Sequence, residues 1–474
     1  MYGLLELSGA STEILLVAAG ALVAYKVAKA LNAPLAHVPG PWYSRFTELV
    51  HTVSIAQGKA WSDVIELHRT YGPIVRLGPN RISVTDVASL ETVLGANGFH
   101  KGEIYQAFIF ARQNNIVSTS DPVAHKRLKK MMAPVFSTVS VQKLEPLILD
   151  VGVQKVVNIL EKSSADGTPV DMFKLMMHMT LDIISTIAFG GSFNLLESES
   201  VPIMGWLHST TMLGIGRTLF GNTLAPMIFR KYQREYEMFI EHTIDMIERR
   251  RKQKDPPKDI LQALIEAVDE DTGMGLSTEE IASNAFILMG VILLLTHPEC
   301  MKCLVSEIDE AIPSIGEPIT HAKVQNLPYL NAILQETLRL RCPAGVDLPR
   351  KVSPQGANLC NLFIPGGTEI TLLYNTIMQD ERNFDNPNTF APDRWLASPE
   401  EVSETKRAFL PFSAGPRVCL GRALAWMELR VTMATLLRKF EFELVPNQDL
   451  RPVSRLALEP ADGKAMVMVT KRTV

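Results

Sequence analysis

One segment near the C-terminal end constrains this chain more than any other feature. Residues 412–422 read FSAGPRVCLGR and stand directly before an apolar helical pattern over residues 423–440. The segment places Cys419 between two glycines, Gly415 and Gly421. The positive end of a helix dipole favours the thiolate form of a cysteine at the helix N-terminus. The segment therefore predicts a deprotonated sulfur that can bind iron.

The spacing F-x-x-G-x-R-x-C-x-G in this segment resembles the haem-binding loop of the cytochromes P-450. In that family the cysteine is the axial ligand of the haem iron, so the resemblance implies that Cys419 is the metal ligand and haem the cofactor. It also implies that Arg417 pairs with a haem propionate and that Phe412 packs beside the sulfur. The alternative is a buried structural cysteine in a glycine-containing turn.

The two glycines of the loop have separate predicted roles. Gly415 permits a backbone turn that a side chain would forbid. Gly421 lets the following helix pass close to a flat macrocycle. Both are candidate cofactor-binding positions.

Three further positions resemble a structural network of the same family. Glu336 and Arg339 form an E-x-x-R pair, which lies on one face of the helix predicted over residues 329–340. Arg394 stands in the proline-containing segment FAPDRW. The resemblance implies that the three side chains form a buried charge network behind the haem. Alone, an E-x-x-R pair indicates only a surface ion pair.

Other positions resemble the family's propionate contacts. Residues 121–137 resemble its third helix, where a Trp and an Arg often contact a propionate. Here His125 and Lys129 occupy those positions, and each can donate a hydrogen bond. Arg350, in Leu-Pro-Arg, resembles a further propionate contact. A solvated helix face is the alternative for His125 and Lys129.

The expected substrate-facing segments are mostly apolar. By resemblance they are residues 108–116, 344–348 and 456–458. An apolar pocket implies a lipophilic small molecule held mainly by shape.

The rest of the chain fits a mainly α fold with small β-sheets, the helix-rich triangular single domain of the cytochromes P-450. Long amphipathic helices are predicted over residues 140–162, 171–189 and 232–254. The runs 74–77 and 81–84 flank Gly-Pro-Asn and predict a β-hairpin. A net charge of -4 without a basic aromatic cluster argues against nucleic acid as a partner.

The N-terminus is predicted to anchor the chain in a membrane. Residues 14–25 are apolar or small and are followed by Lys26 and Lys29, which favours a cytosolic body. The run is shorter than the roughly 20 residues that span a bilayer, so a buried helix is the alternative. Val38-Pro-Gly-Pro-Trp42 resembles the hinge of microsomal members. We therefore expect an anchor at residues 1–34, a haem-binding domain at 35–474 and location at the endoplasmic reticulum membrane.

The chain departs from the family in its central helix. That helix usually carries an acid and an alcohol in [AG]-G-x-[DE]-T-[TS], which supply protons during oxygen activation. Here residues 285–290 run directly into residues 291–298, which resemble the far end of the helix. About fifteen residues are missing, or roughly 20 Å of helix. No catalytic acid or threonine is identified.

Three interpretations of this departure stay open. The sequence is a mis-spliced or misannotated form of an active enzyme, a natural inactive haem-binding or interaction protein, or a haem-thiolate enzyme whose chemistry does not need the acid and alcohol. The resemblance otherwise implies a monooxygenase that oxidises a lipophilic small molecule with O₂ and electrons from an NADPH-dependent cytochrome reductase. PGPW, YGPIVRLGPNRISV and FSAGPRVCLGR resemble filamentous-fungal members, many of which act in secondary-metabolite biosynthesis.

Overall fold

The computed structural model describes most of the chain. The described residues are 17–18, 20–21, 24–25, 27–28, 31–95, 98–111, 113–198, 202–256, 259–267, 298–344, 347–454 and 458–473. The shortened central helix and most of the predicted anchor lie outside them, as do parts of the expected substrate-facing segments 344–348 and 456–458. Among the described helices, none has the length and apolar character needed to cross a membrane.

Helices make up most of the described structure. In chain order they are α1 (Leu49–Ala56), α2 (Ala60–Tyr71), α3 (Val87–Gly95), α4 (Pro122–Met132), α5 (Thr138–Lys143), α6 (Glu145–Ile148), α7 (Gln154–Asp166), α8 (Met172–Phe189), α9 (Pro202–Ile228), α10 (Arg230–Arg251), α11 (Ile260–Glu266), α12 (Pro298–Ala311), α13 (His321–Val324), α14 (Pro328–Leu340), α15 (Tyr374–Met378), α16 (Pro399–Arg407) and α17 (Arg422–Lys439). Short 3₁₀ turns cover Trp42–Arg45, Glu103–Phe108, Pro392–Trp395 and Gly415–Arg417.

The strands are short and form small sheets. They are β1 (Ile74–Gly78), β2 (Arg81–Val84), β3 (His100–Lys101), β4 (Val170–Asp171), β5 (Arg350–Lys351), β6 (Ala357–Leu359), β7 (Leu362–Ile364), β8 (Glu369–Thr371), β9 (Phe440–Leu444), β10 (Pro452–Ser454), β11 (Leu458–Pro460) and β12 (Met466–Lys471). The largest sheet has the order β1-β2-β8-β5-β3. Its β3–β5 pair sets Lys101 opposite Arg350.

Most sequence predictions of secondary structure are confirmed. The hairpin forms, with β1 and β2 antiparallel. Asp171 caps α8 by accepting hydrogen bonds from the backbone N–H groups of Phe173 and Lys174. The single helix predicted over residues 140–162 is wrong in detail, because α5, α6, a π-helical turn at Leu149–Val153 and α7 share that stretch. Pro146, which lacks a backbone N–H, lies in the first turn of α6.

Two apolar clusters hold these elements together. The larger joins α7, α8, α10, α12, α14 and α17 through buried Leu, Ile, Val, Met and Phe side chains. The smaller surrounds the five-stranded sheet. The loop that carries Cys419 leads into α17, so the large core fixes one end of this loop.

Candidate haem-binding site

The cysteine loop has a backbone shape that only glycine permits at one point. Gly415 has φ +66°, and a Cβ at this position would overlap the carbonyl oxygen of Leu94 at the end of α3. The Cys419 N–H donates to the Phe412 carbonyl at 2.9 Å, which closes the loop. Phe412 is partly buried, and its ring lies 6.2 Å from that of Trp426 on α17. Gly421 is the N-cap residue of α17.

The protonation state predicted for Cys419 is wrong for the protein alone. α17 begins at Arg422, beyond Cys419, and burial raises the pKa of the thiol. The Gly421 N–H and the Arg422 charge act in the opposite direction without offsetting burial. A bound metal ion deprotonates a coordinating thiol, so a bound iron would supply what the helix dipole does not.

Four predicted carboxylate contacts lie together beside this loop. Arg350 and His125 are buried, with exposed fractions of 3% and 7%. Lys129 donates from Nζ to the Pro416 carbonyl at 2.8 Å, so α4 is tied to the cysteine loop. The charges of Arg417, Lys129 and Arg350 all lower the pKa of His125, which burial depresses most, to about 3. The structure therefore brings these groups into one electropositive site, which we call the cation cluster.

The cation cluster fits a bound anion. In the described part of the chain, no carboxylate forms a salt bridge with its members. Nη1 of Arg417 is buried and has no hydrogen-bond partner among the described residues, although buried polar atoms are nearly always paired. Burial and the charge of Arg350 lower the pKa of Arg417. A carboxylate-bearing cofactor would satisfy this nitrogen and neutralise the cluster.

Two further members of the cation cluster were missed by the sequence analysis. Lys101 is 7% exposed, and its pKa is lowered to about 6 by burial and by the charges of Arg417 and Arg350. The phenol oxygen of Tyr105 accepts a hydrogen bond from Nη1 of Arg350 at 2.6 Å. Neither belongs to a motif, and only the pairing of β3 with β5 brings them to the site. A lysine four residues before a tyrosine gives no distinctive sequence signal.

The E-x-x-R positions form a second buried cluster, which we call the Glu336 network. Arg339 donates to both carboxylate oxygens of Glu336, at 2.9 and 2.8 Å, and Nε of Arg394 donates to Oε1 at 3.2 Å. Nε1 of Trp395 donates to Oε2 at 2.9 Å, a contact that sequence analysis missed. The backbone N–H of Ala391 also donates to Oε1. The two predicted arginines therefore meet around the fully buried Glu336 carboxylate.

One expected substrate-facing segment is packed against α10. Phe110 is buried and makes edge-to-face contacts with Tyr236 and Phe239, at centroid distances of 5.7 and 5.2 Å. The side-chain amide of Asn115 donates to the Phe108 carbonyl at 2.7 Å. This segment therefore has an apolar face and a fixed backbone.

Comparison with known proteins identifies the relatives of this chain. The family model described as cytochrome P-450 matches residues 38–466. The cytochrome P-450 monooxygenase FUS8 of Gibberella fujikuroi is 30% identical over 468 residues, covering 93% of this chain and 90% of that protein. The monooxygenase atr2 of Stereocaulon alpinum is also 30% identical, over 87% of this chain and 86% of its own length.

Two further similarities concern the length and the fold. The monooxygenase acrD of Aspergillus aculeatus is 28% identical over 497 residues, covering 99% of this chain and 98% of acrD. That alignment is longer than the 474 residues of this chain, so this chain is gapped in it. A solved cytochrome P-450 haem domain has the same fold, with a TM-score of 0.80, 22% identity and coverage of 92% of this chain and 98% of that one.

Proposed function

This chain belongs to the cytochrome P-450 family of haem-dependent monooxygenases, and from that membership we propose that it oxidises a lipophilic small molecule in fungal secondary metabolism. The observation that carries the proposal is the cysteine loop beside an electropositive site whose cations form no salt bridge with a carboxylate of the described residues. The apolar residues around Phe110 support an apolar substrate.

Different residues of the site would bind the iron and the propionates of haem. Cys419 would bind the iron through its sulfur, while Arg417, Arg350, His125 and Lys129 would hold the propionates. When bound, haem supplies the oxygen-activating chemistry. The protein would orient the cofactor and provide the sulfur. Phe412, whose ring packs against Trp426, would keep water from the sulfur. The Glu336 network holds the segment 385–395 against α14 through Arg394 and Trp395.

We also propose that the protein lies at the endoplasmic reticulum membrane with its body in the cytosol. The apolar residues 14–25 and the lysines after them support this proposal. So do the exposed apolar side chains of Trp42, Leu49 and Val53, with exposed fractions of 76%, 63% and 45%. Lys126 on α4 and Arg422 at the start of α17 are exposed and would attract an acidic electron donor, the NADPH-dependent reductase.

The test is turnover by the purified full-length chain in phospholipid nanodiscs with reductase and NADPH. Candidate lipophilic compounds are first screened by the shift that they cause in the haem spectrum. We expect one or more of them to be hydroxylated, and Cys419→Ser to abolish the product. Product formation that is equal in the wild type and the Cys419→Ser variant would contradict the proposal.

A second candidate function is haem binding without reductase-driven oxidation. It is favoured by the absence of the acid–alcohol motif in residues 285–298. The two functions are distinguished by whether oxidised product forms when NADPH and the reductase are supplied. Product formation supports the monooxygenase, whereas haem binding with no product, or product only when hydrogen peroxide replaces NADPH, supports the alternative.

A further inference from the structure

We propose that Lys101 binds a carboxylate of the haem and holds to it residues 113–119, which include the C-terminal end of the expected substrate-facing segment 108–116, so that loading the cofactor orders these residues. The inference rests on the proposed function only in taking haem to be the ligand that the cation cluster binds. It adds a positioning residue and a physical link between the cofactor site and the substrate side.

The location of Lys101 makes it a member of the cation cluster. It lies opposite Arg350 in the β3–β5 pair, and its Nζ is 5.2 Å from the centre of the Tyr105 ring. The guanidinium of Arg350 lies 5.7 Å from the same ring. Tyr105 is therefore flanked by two cations. A buried lysine beside two arginines costs free energy, which an anion between them would offset.

The hydrogen bonds of Lys101 leave one donor for that anion. Nζ donates to the carbonyl oxygens of Ile116 and Val117 at 2.7 and 2.6 Å. A lysine ammonium has three N–H donors. No carboxylate in the described structure pairs with Lys101, while Arg417 and Arg350 are the charges nearest to it. The third donor is therefore available to a ligand that the two arginines also attract.

The two carbonyls belong to a turn that is otherwise closed by Asn115. The Asn115 side-chain oxygen accepts hydrogen bonds from the N–H groups of Val117 and Ser118, both at 2.8 Å. Its amide nitrogen reaches the Phe108 carbonyl. Lys101 and Asn115 thus fix the two ends of the substrate-facing segment, and only Lys101 also belongs to the cation cluster. Neutralising that cluster would hold Lys101 protonated and keep both carbonyls bound.

The experiment measures porphyrin binding by fluorescence, using iron-free protoporphyrin IX and its dimethyl ester, which lacks both carboxylates. The variants are Lys101→Met, Lys101→Arg and the control Lys351→Met, which removes an exposed lysine from the neighbouring strand position. We expect Lys101→Met to weaken protoporphyrin binding about tenfold, the size of one charge-assisted hydrogen bond. We expect little effect on the ester, restoration by Lys101→Arg and no change in Lys351→Met.

Hydrogen exchange of residues 113–119 gives the second measurement. Porphyrin should slow exchange in the wild type and not in Lys101→Met. Equal loss of affinity for the acid and the ester, or equal protection in both proteins, would overturn the proposal, as would a wild type that binds neither porphyrin. If the iron-free porphyrin binds through Lys101 but iron porphyrin shows no thiolate spectrum, the inference stands and the proposed function fails.

Discussion

The Glu336 network and the cation cluster both contain buried cations, and they differ in whether those cations pair with a carboxylate. In the Glu336 network two arginines share one carboxylate, whose oxygens accept hydrogen bonds from Arg339, Arg394, Trp395 and Ala391. In the cation cluster, Lys101, Lys129, Arg350 and Arg417 lie near His125 without a paired carboxylate in the described structure. A buried carboxylate that buried cations share holds its chain segments together, whereas buried cations with no paired carboxylate among the described residues indicate a site for an anionic ligand.

The largest expected effect comes from removing the carboxylate of the Glu336 network. Glu336→Leu leaves Arg339 and Arg394 buried without their anion, which should lower the free energy of unfolding by roughly 3–5 kcal/mol. Urea unfolding of the cofactor-free chain measures it. The control is Glu91→Leu, because Glu91 is 51% exposed and pairs with Arg407 at the surface, where an ion pair contributes about 0–1 kcal/mol. Similar losses in the two variants would contradict the distinction.

Removing the charge of Arg417 from the cation cluster should leave the free energy of unfolding unchanged or raise it. Arg417→Met removes a cation that has a buried nitrogen without a partner, so the cofactor-free chain should unfold at the same or a higher urea concentration. Haem affinity should nevertheless fall about tenfold, because a charge-assisted bond to a carboxylate is lost. Destabilisation of the cofactor-free chain by Arg417→Met would show that Arg417 has a structural role instead.

The two clusters should also titrate in different pH windows. The folded protein holds the pKa of Lys101 at about 6, below its ordinary value of 10.5. Between these values the unfolded chain binds the extra proton, so stability rises with pH, by at most about 1.4 kcal/mol per unit. Arg339 and its neighbours hold the pKa of Glu336 below its usual value despite burial, so its contribution is lost only as the solution becomes acidic.

Urea unfolding of the cofactor-free chain from pH 5 to 10 separates these windows. Lys101→Met should flatten the rise above pH 6 relative to the wild type and leave the acidic side unchanged. An unaltered profile in Lys101→Met would mean that Lys101 stays charged in the folded chain.

The smallest expected effect concerns the edge of the cation cluster. Lys129 is half-buried and bonds one carbonyl, that of Pro416. Lys129→Met should weaken haem binding about threefold and lower the free energy of unfolding by about 1 kcal/mol, the contribution of one hydrogen bond. Haem transfer to an acceptor protein measures the first and urea unfolding the second. If Lys129→Met lost more haem affinity than Arg417→Met, the prediction that Arg417 contributes more to haem binding would be wrong.

The sequence predicts the local features of this molecule well. Helix boundaries follow from capping residues and apolar periodicity, as for Asp171 and α8 or Asp121 and α4. The cysteine loop and the E-x-x-R pair are recognisable because their residues lie close together in the chain. The turn at Gly415 is likewise a local property of the backbone.

The features that the sequence does not predict are non-local. Lys101 enters the site because β3 pairs with β5, about 250 residues later, and Trp395 reaches Glu336 across 59 positions. The thiol pKa of Cys419 depends on burial by the whole core, which no local pattern encodes. The interruption of the helix predicted over residues 140–162 is an exception, because part of its cause is local: Pro146 lies in the first turn of α6.

The central claim is that the protein binds haem, with the Cys419 thiolate on the iron and the cation cluster on the propionates. The most direct test is the reduced, carbon monoxide-bound difference spectrum of the purified full-length chain after haem addition. We predict a Soret band at the position of thiolate-ligated haem, which is lost in Cys419→Ser. No bound haem, or a band at the position of a neutral axial ligand in the wild type, would contradict the claim.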